Sequence, residues 1–211
     1  HRQQHTLDET VQSAIAQRFV LGKVTNARRY LERKGVTIQS DSPLSTAPQR
    51  IQTAETLNEL RGIEGEAARQ YFECYDETLI DGWSMEGRSR RPPGDGVNSL
   101  LSLTYSFIQN ECEAALQAVN LDPYIGIFHQ MRHGRPALSL DILEEFRRAF
   151  ADPFVARLIN RQALTREAFT EENHLSDSAF DRYVAKFDAY MSEELSHDRL
   201  KRRLTRRETI R

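Results

Sequence analysis

The strongest constraint on this chain is a helical period in its apolar residues. From Leu7 they run Val11, Ala14, Ile15, Phe19, Val24, Ala27 and Leu31. Spacings of three and four line one face of a helix of roughly seven turns. The period returns in Ile51, Ala54, Leu57 and Leu60, read as a short helix. It returns again in Ala67, Ala68, Tyr71, Phe72 and Tyr75, within a helix over about 63–79. A fourth helix spans 100–119. Ser139 reads as the N-cap of a helix over 140–150, and Asp152-Pro153 opens another, since proline suits the first helical position. Ser176 or Asp177 caps a last helix carrying Phe180, Tyr183, Val184, Phe187, Tyr190, Met191 and Leu195. No alternating hairpin pattern appears, so the expected class is all-α, a multi-helix domain over 1–211.

Breaks in the period mark loops. One covers 39–45. A larger one, about 81–96, collects Gly82, Gly87, Gly94, Gly96, Pro92 and Pro93 with Arg88, Arg90 and Arg91. It reads as a mobile basic surface loop. Residues 122–128 read as a short irregular or extended piece.

Charge is near balance, 29 basic against 31 acidic residues, a net of −2. That argues against a polycationic tail protein but leaves local clusters open. Only four of the basic residues are Lys, and arginine's planar fork suits phosphate. The segment 197–211 holds seven basic and two acidic residues, read either as a solvated tail or as a DNA backbone contact. No apolar run approaches the ~18 residues of a membrane span. His1 opens the chain with neither an initiator Met nor a signal-peptide core. The expectation is a piece of a longer, cytoplasmic protein. Cys74 and Cys112 lack metal-ligand spacing and read as reduced thiols.

Three acidic or imidazole positions could carry chemistry. Glu64 lies on or beside the apolar stripe of its helix, where a carboxylate must be paired or coordinated. An ordinary pair with Arg61 or Arg69 is one reading and a cation ligand the other. Gly62 and Gly65 flank it and suggest close approach of another backbone or ligand. Asp141 and Glu144, three apart, share a helix face. They either complement the helix dipole or hold a cation. His129 follows an apolar segment and reads as a core histidine or as a ligand. Together these residues make a mixed N/O set suited to Mn²⁺ or Mg²⁺.

Four ordered strings then carry a resemblance. Arg61-Gly62-Ile63-Glu64-Gly65-Glu66-Ala67-Ala68-Arg69-Gln70-Tyr71-Phe72 is similar to the glutamate helix of the CRISPR-associated adaptation integrase family, the universal spacer-acquisition nucleases. Asp95 to Tyr105, Leu121 to His129 and Pro136 to Arg147 resemble that family's asparagine-to-tyrosine helix, histidine segment and acidic helix, in the same order. Leu158-Ile159-Asn160-Arg161 also fits. The resemblance implies that Glu64, His129 and Glu144 are catalytic metal ligands for Mg or Mn, with Asp141 in the same site. It implies support from Asn98 and Tyr105. Phosphate contacts are expected from Lys23, Arg28, Arg29, Arg88, Arg90, Arg91, Arg132 and Arg135. The implied reaction is attack by the 3′-hydroxyl of a captured DNA fragment on a phosphodiester of CRISPR repeat DNA. The implied assembly is a homodimer with a small ferredoxin-like partner and an associated or fused nuclease, and an N-terminal β-rich dimerisation domain absent from this chain. A non-catalytic, Arg-rich DNA-binding module on the same fold is the alternative.

Overall fold

The computed structural model describes residues 7–89, 92–197 and 200–211. Helix α1 (Glu9–Arg33) starts where the Asp8 carboxylate accepts from the Thr10 N–H at 3.0 Å. Helix α2 (Pro43–Thr53) starts behind Ser42, with Pro43 in its first turn. Helix α3 (Leu57–Asp76) opens on a capping box between Thr56 and Glu59. The chain therefore breaks at 54–56, inside the short helix expected over Ile51–Leu60. Apolar residues three apart continue across that break, whereas the cap groups of Thr56 and Glu59 restart the hydrogen-bond ladder.

Helix α4 (Gly96–Ala118) begins at Asp95, which accepts from the Asn98 N–H at 2.7 Å. Helix α5 (Ala137–Phe146) starts two residues before the expected cap, because the Ser139 hydroxyl instead donates to the Gln109 carbonyl across the core at 3.1 Å. A π-helical turn, Arg147–Ala151, joins α5 directly to α6 (Asp152–Asn160). Wide turns of this kind recur near functional sites. Helix α7 (Asp177–Met191) follows, with Ser176 as its N-cap residue.

A small hairpin adds to the helical reading. Strands β1 (Glu194–His197) and β2 (Arg202–Thr205) pair antiparallel with Leu195 opposite Leu204, and α8 (Arg206–Ile210) ends the chain. Each strand is four residues long, too short for an alternating pattern to stand out. The expected basic tail is largely neutralised here. Arg203 pairs with Glu194, Arg206 with Glu193, Arg207 with Glu111 and Asp188, and Arg211 with Glu111.

Helix α1 packs on α2, α3 and α5, while α4 packs on α5 and α6. One apolar core runs through Leu31, Tyr71, Leu100, Ile108, Leu143, Phe154 and Tyr183, all 2% exposed or less. Cys112 lies in that core, where burial pushes its thiol up to about 12, and Cys74 is half-buried. Among the described residues, no helix is long and apolar enough to cross a membrane.

Candidate metal centre

Four charged or ionisable side chains from four segments meet where α1, α3 and α5 converge. Lys23 comes from α1, Glu64 from α3, Glu144 from α5, and His129 from the irregular strap before α5. They line a cleft of about 340 Å³ together with Arg61, Phe128, Gln130 and Arg135. The Lys23 ammonium donates to Glu64 Oε1 and lies 2.7 Å from Glu144 Oε2. Arg147 holds the other Glu144 oxygen at 2.7 Å, and His129 Nε2 stands 3.9 Å from it. Burial alone would raise the Glu144 carboxyl, but Arg147 and Lys23 hold it well below the usual carboxylate range. Glu144 is therefore a carboxylate although only 4% exposed. Glu64 finds Lys23 as its partner. Arg61 instead donates to Asn58 and to the Phe128 carbonyl.

Asp141, expected in the same acidic site, sits behind the histidine and not among the residues that line the cleft. One oxygen accepts from the N–H groups of Ile127 and Phe128, at 2.7 and 3.0 Å. The other accepts from the His129 N–H at 2.9 Å and lies 2.6 Å from His129 Nδ1. Fully buried and so engaged, Asp141 orients the imidazole. A carboxylate against Nδ1 favours the tautomer with the proton there, leaving the Nε2 lone pair toward Glu144. The strap is drawn in tightly. A Cβ on Gly126 would stand 2.5 Å from the Ala137 Cβ and 2.6 Å from the His129 carbonyl oxygen. The close approach expected at Gly62 and Gly65 is found here instead. Nothing lies within 4 Å of a Cβ built on either of those two.

The donor set of two carboxylates and one imidazole nitrogen suits Mg²⁺ or Mn²⁺. One observation favours that fit directly. Glu144 Oε2 is buried and makes no aligned hydrogen bond, although an ammonium lies beside it. As the side chains stand, no group of three or more His, Cys, Asp or Glu residues among those described closes into a cation cage. The lysine keeps the two carboxylates engaged.

The remaining predicted residues scatter. Asn98 is buried and binds Arg88, the Ser89 N–H, the Gly87 carbonyl and Asp95, which ties the 87–89 loop to α4. Arg88 donates to Asn98 and Ser102 and so helps anchor the loop. Lys23, expected as a phosphate contact, is 6% exposed and points into the acidic pair. Tyr105 donates to Asp152 at 2.6 Å, and its ring lies 4.8 Å from the Arg147 guanidinium, so it supports Glu144 through Arg147. Arg135 lines the cleft, and Arg132, paired to it across a tight turn, is exposed. Arg29 is exposed and Arg28 half-buried on α1. Arg90 and Arg91 lie outside the described residues.

Comparison with known proteins decides the lineage. The family model described as CRISPR associated protein Cas1 matches residues 1–189. The chain belongs to the Cas1 family. A Cas1 endonuclease of Methanospirillum hungatei is 44% identical over 197 residues, covering 93% of this chain and 56% of that protein. The chain thus spans little more than half the length of that relative. A Cas1 structure from Thermotoga maritima superposes with a TM-score of 0.86 at 28% identity, covering 96% of this chain and 63% of the other. A chain of a Cas6-RT-Cas1–Cas2 complex matches with a TM-score of 0.80 at 28% identity, covering 94% of this chain and 22% of the other.

Two neighbours of the acids in this Cas1 domain stand in contacts that the sequence reading did not assign to them. Arg147 stands three residues after Glu144, a spacing that allowed the pair to be read. Lys23 follows Phe19 by four and Val20 by three, which puts it on the buried stripe of α1 rather than on its wet face.

Proposed function

We propose that this chain is the helical catalytic domain of a metal-dependent DNA integrase and endonuclease. It inserts captured DNA fragments into a CRISPR array by 3′-hydroxyl transesterification. The observation that carries the reading is the convergence of Glu64, His129 Nε2 and Glu144 on one cleft, in a chain of the Cas1 family. Glu64, His129 and Glu144 would hold Mg or Mn, which when bound supplies alignment of the attacking hydroxyl and neutralisation of the departing 3′-oxygen.

The protein's own groups set the stage for that chemistry. Asp141 fixes the histidine ring and its tautomer. Arg147, backed by the Tyr105 ring, keeps Glu144 ionised and oriented. Arg135 and Arg61 at the cleft, with Arg132 beside them, are placed to meet phosphate oxygens. The attacking 3′-oxygen forms a P–O bond as the scissile 3′-oxygen leaves. The attacking hydroxyl gives its proton to solvent and the leaving oxygen takes one up. Phosphodiesters are conserved in number, so no protein nucleophile is required. A homodimer with a small Cas2-like partner and an associated nuclease is the assembly we propose, supported by the likeness to a chain of a Cas1–Cas2 complex.

The test uses the full-length protein, its partner subunit, a half-site DNA and Mn²⁺ or Mg²⁺. Glu64→Ala and His129→Ala are expected to abolish strand transfer while DNA binding persists. Joining by either variant overturns the assigned site. An unsubstituted protein that binds DNA but neither cuts nor joins it establishes the binding-module alternative. That alternative is weakened by the pairing of Arg203, Arg206, Arg207 and Arg211 with acids.

A further inference from the structure

The carboxylates of Glu64 and Glu144 already share a cation, the ammonium of Lys23. Its stem is packed in α1 among Phe19, Val20, Val24 and Ala27, all 9% exposed or less, and its head contacts both acids. Burying a charged lysine is costly unless its partners repay it. Here the repayment is divided unevenly. Glu64 accepts a hydrogen bond from the ammonium, whereas Glu144 Oε2 lies 2.7 Å away without an aligned one. Glu144 has a second cation beside it, Arg147, 2.7 Å from its other oxygen. Lys23 and Arg147 balance Glu64 and Glu144 in charge, so the four side chains are neutral together without any metal.

A divalent cation needs the same oxygens, at about 2.0–2.2 Å for Mg²⁺. An ammonium in contact with both carboxylates stands where such an ion must sit, and two cations at that spacing repel strongly in a half-dry cleft. We propose that Lys23 is a resident counter-cation. It holds the empty site together and must be displaced when metal enters, so that Lys23 sets the metal affinity of the centre. This rests on the reading of Glu64, His129 and Glu144 as metal ligands. Lysine suits such a role because its charge sits at the end of a flexible stem, free to swing toward the cleft mouth. An arginine fork in the same place would hold a carboxylate more persistently.

Three variants of the full-length protein test the idea: Lys23→Met, Lys23→Gln and Lys23→Arg. Two measurements without DNA suffice, Mn²⁺ titration by calorimetry and thermal unfolding with and without Mn²⁺. Removing the ammonium leaves Glu64 and Glu144 facing each other. Lys23→Met and Lys23→Gln should melt lower than the unsubstituted protein without metal, bind Mn²⁺ about tenfold more tightly or better, and show a larger Mn²⁺-induced rise in Tm. Lys23→Gln keeps a polar head of similar reach should the methionine fail to fold. Lys23→Arg should bind Mn²⁺ no more tightly than the unsubstituted protein. A lysine with a merely structural role would lower the metal-free Tm without tightening Mn²⁺. Unchanged or weakened Mn²⁺ binding in both neutral variants therefore overturns the proposal, while Mn²⁺ binding by the unsubstituted protein leaves the ligand assignment standing. Absence of Mn²⁺ binding in every form, with DNA joining that proceeds without metal, overturns the ligand assignment and the proposal together.

Discussion

Two buried ionic clusters lie side by side along the α5–α6 run, and they are built differently. In the core, the Asp152 carboxylate accepts from Tyr105 at 2.6 Å, from Tyr71 at 2.8 Å and from Arg148 at 2.6 Å, while Tyr75 donates to its backbone carbonyl at 2.9 Å. Arg148 is sandwiched near the rings of Tyr71 and Phe72, at 4.0 and 4.4 Å. Both carboxylate oxygens have aligned partners, and each partner is rigid. At the cleft, Arg147 and Lys23 each stand 2.7 Å from one Glu144 oxygen, and the oxygen beside the lysine has no aligned hydrogen bond. The first arrangement has no reason to open. The second, on the proposal above, exchanges one cation for another. Burial is nearly the same in both, 0% exposure for Asp152 and 4% for Glu144. What separates the two carboxylates here is thus completeness of hydrogen bonding, not depth.

That contrast breaks first at Asp152. Asp152→Asn leaves the buried Arg148 charge without its counter-ion, and such broken pairs cost about 3–5 kcal/mol. For a domain of ordinary stability this is a large share of the total, and urea unfolding should show it as a marked drop in midpoint. A loss below about 1 kcal/mol would mean that the tyrosine cluster, not the ion pair, carries this part of the core.

Asp141→Asn comes next. One of its two oxygens becomes an NH₂ group, which must face either the Ile127 and Phe128 N–H groups or those of His129. Donors left unsatisfied in a buried site cost about 2–3 kcal/mol. Because the histidine also loses its orienting carboxylate, Mn²⁺ affinity should fall by about 10–100-fold. Stability lost with Mn²⁺ affinity retained would show that the strap alone positions His129. Glu144→Gln should reverse the balance. Lys23 keeps Glu64 as a counter-ion and Arg147 is less deeply buried than Arg148, so the loss of stability should be smaller than that of Asp152→Asn. Mn²⁺ binding and strand transfer should nevertheless be lost. A stability loss as large as that of Asp152→Asn would erase the distinction between the two clusters.

Much of the cleft was readable from spacing. Glu64 on an apolar stripe and Asp141 three residues before Glu144 both signalled acids on buried faces. What spacing could not assign was division of labour. Asp141 and Glu144 look equivalent along a helix, and only the returning strap, whose N–H groups occupy Asp141, separates orienter from candidate ligand. Lys23 carried its own signal, a lysine in register with Phe19 and Val20, but a lone basic residue on a first helix also fits a phosphate contact. The hairpin at 194–205 and the acid partners of the terminal arginines depend on contacts with α4 and α7 that no local pattern encodes.

The smallest effect tests the glycines that flank Glu64. Gly62 is exposed within α3, and a Cβ there would meet nothing within 4 Å, in contrast to the crowded Gly126. Alanine is favoured over glycine in a helix interior by about 0.5–1 kcal/mol. Gly62→Ala should therefore raise Tm slightly while leaving Mn²⁺ affinity unchanged. Its DNA behaviour then carries the information. If binding and joining are also unchanged, the glycine does nothing that alanine cannot. If Tm rises while DNA affinity falls, the bare backbone of α3 two residues before Glu64 is a place where the nucleic acid comes close.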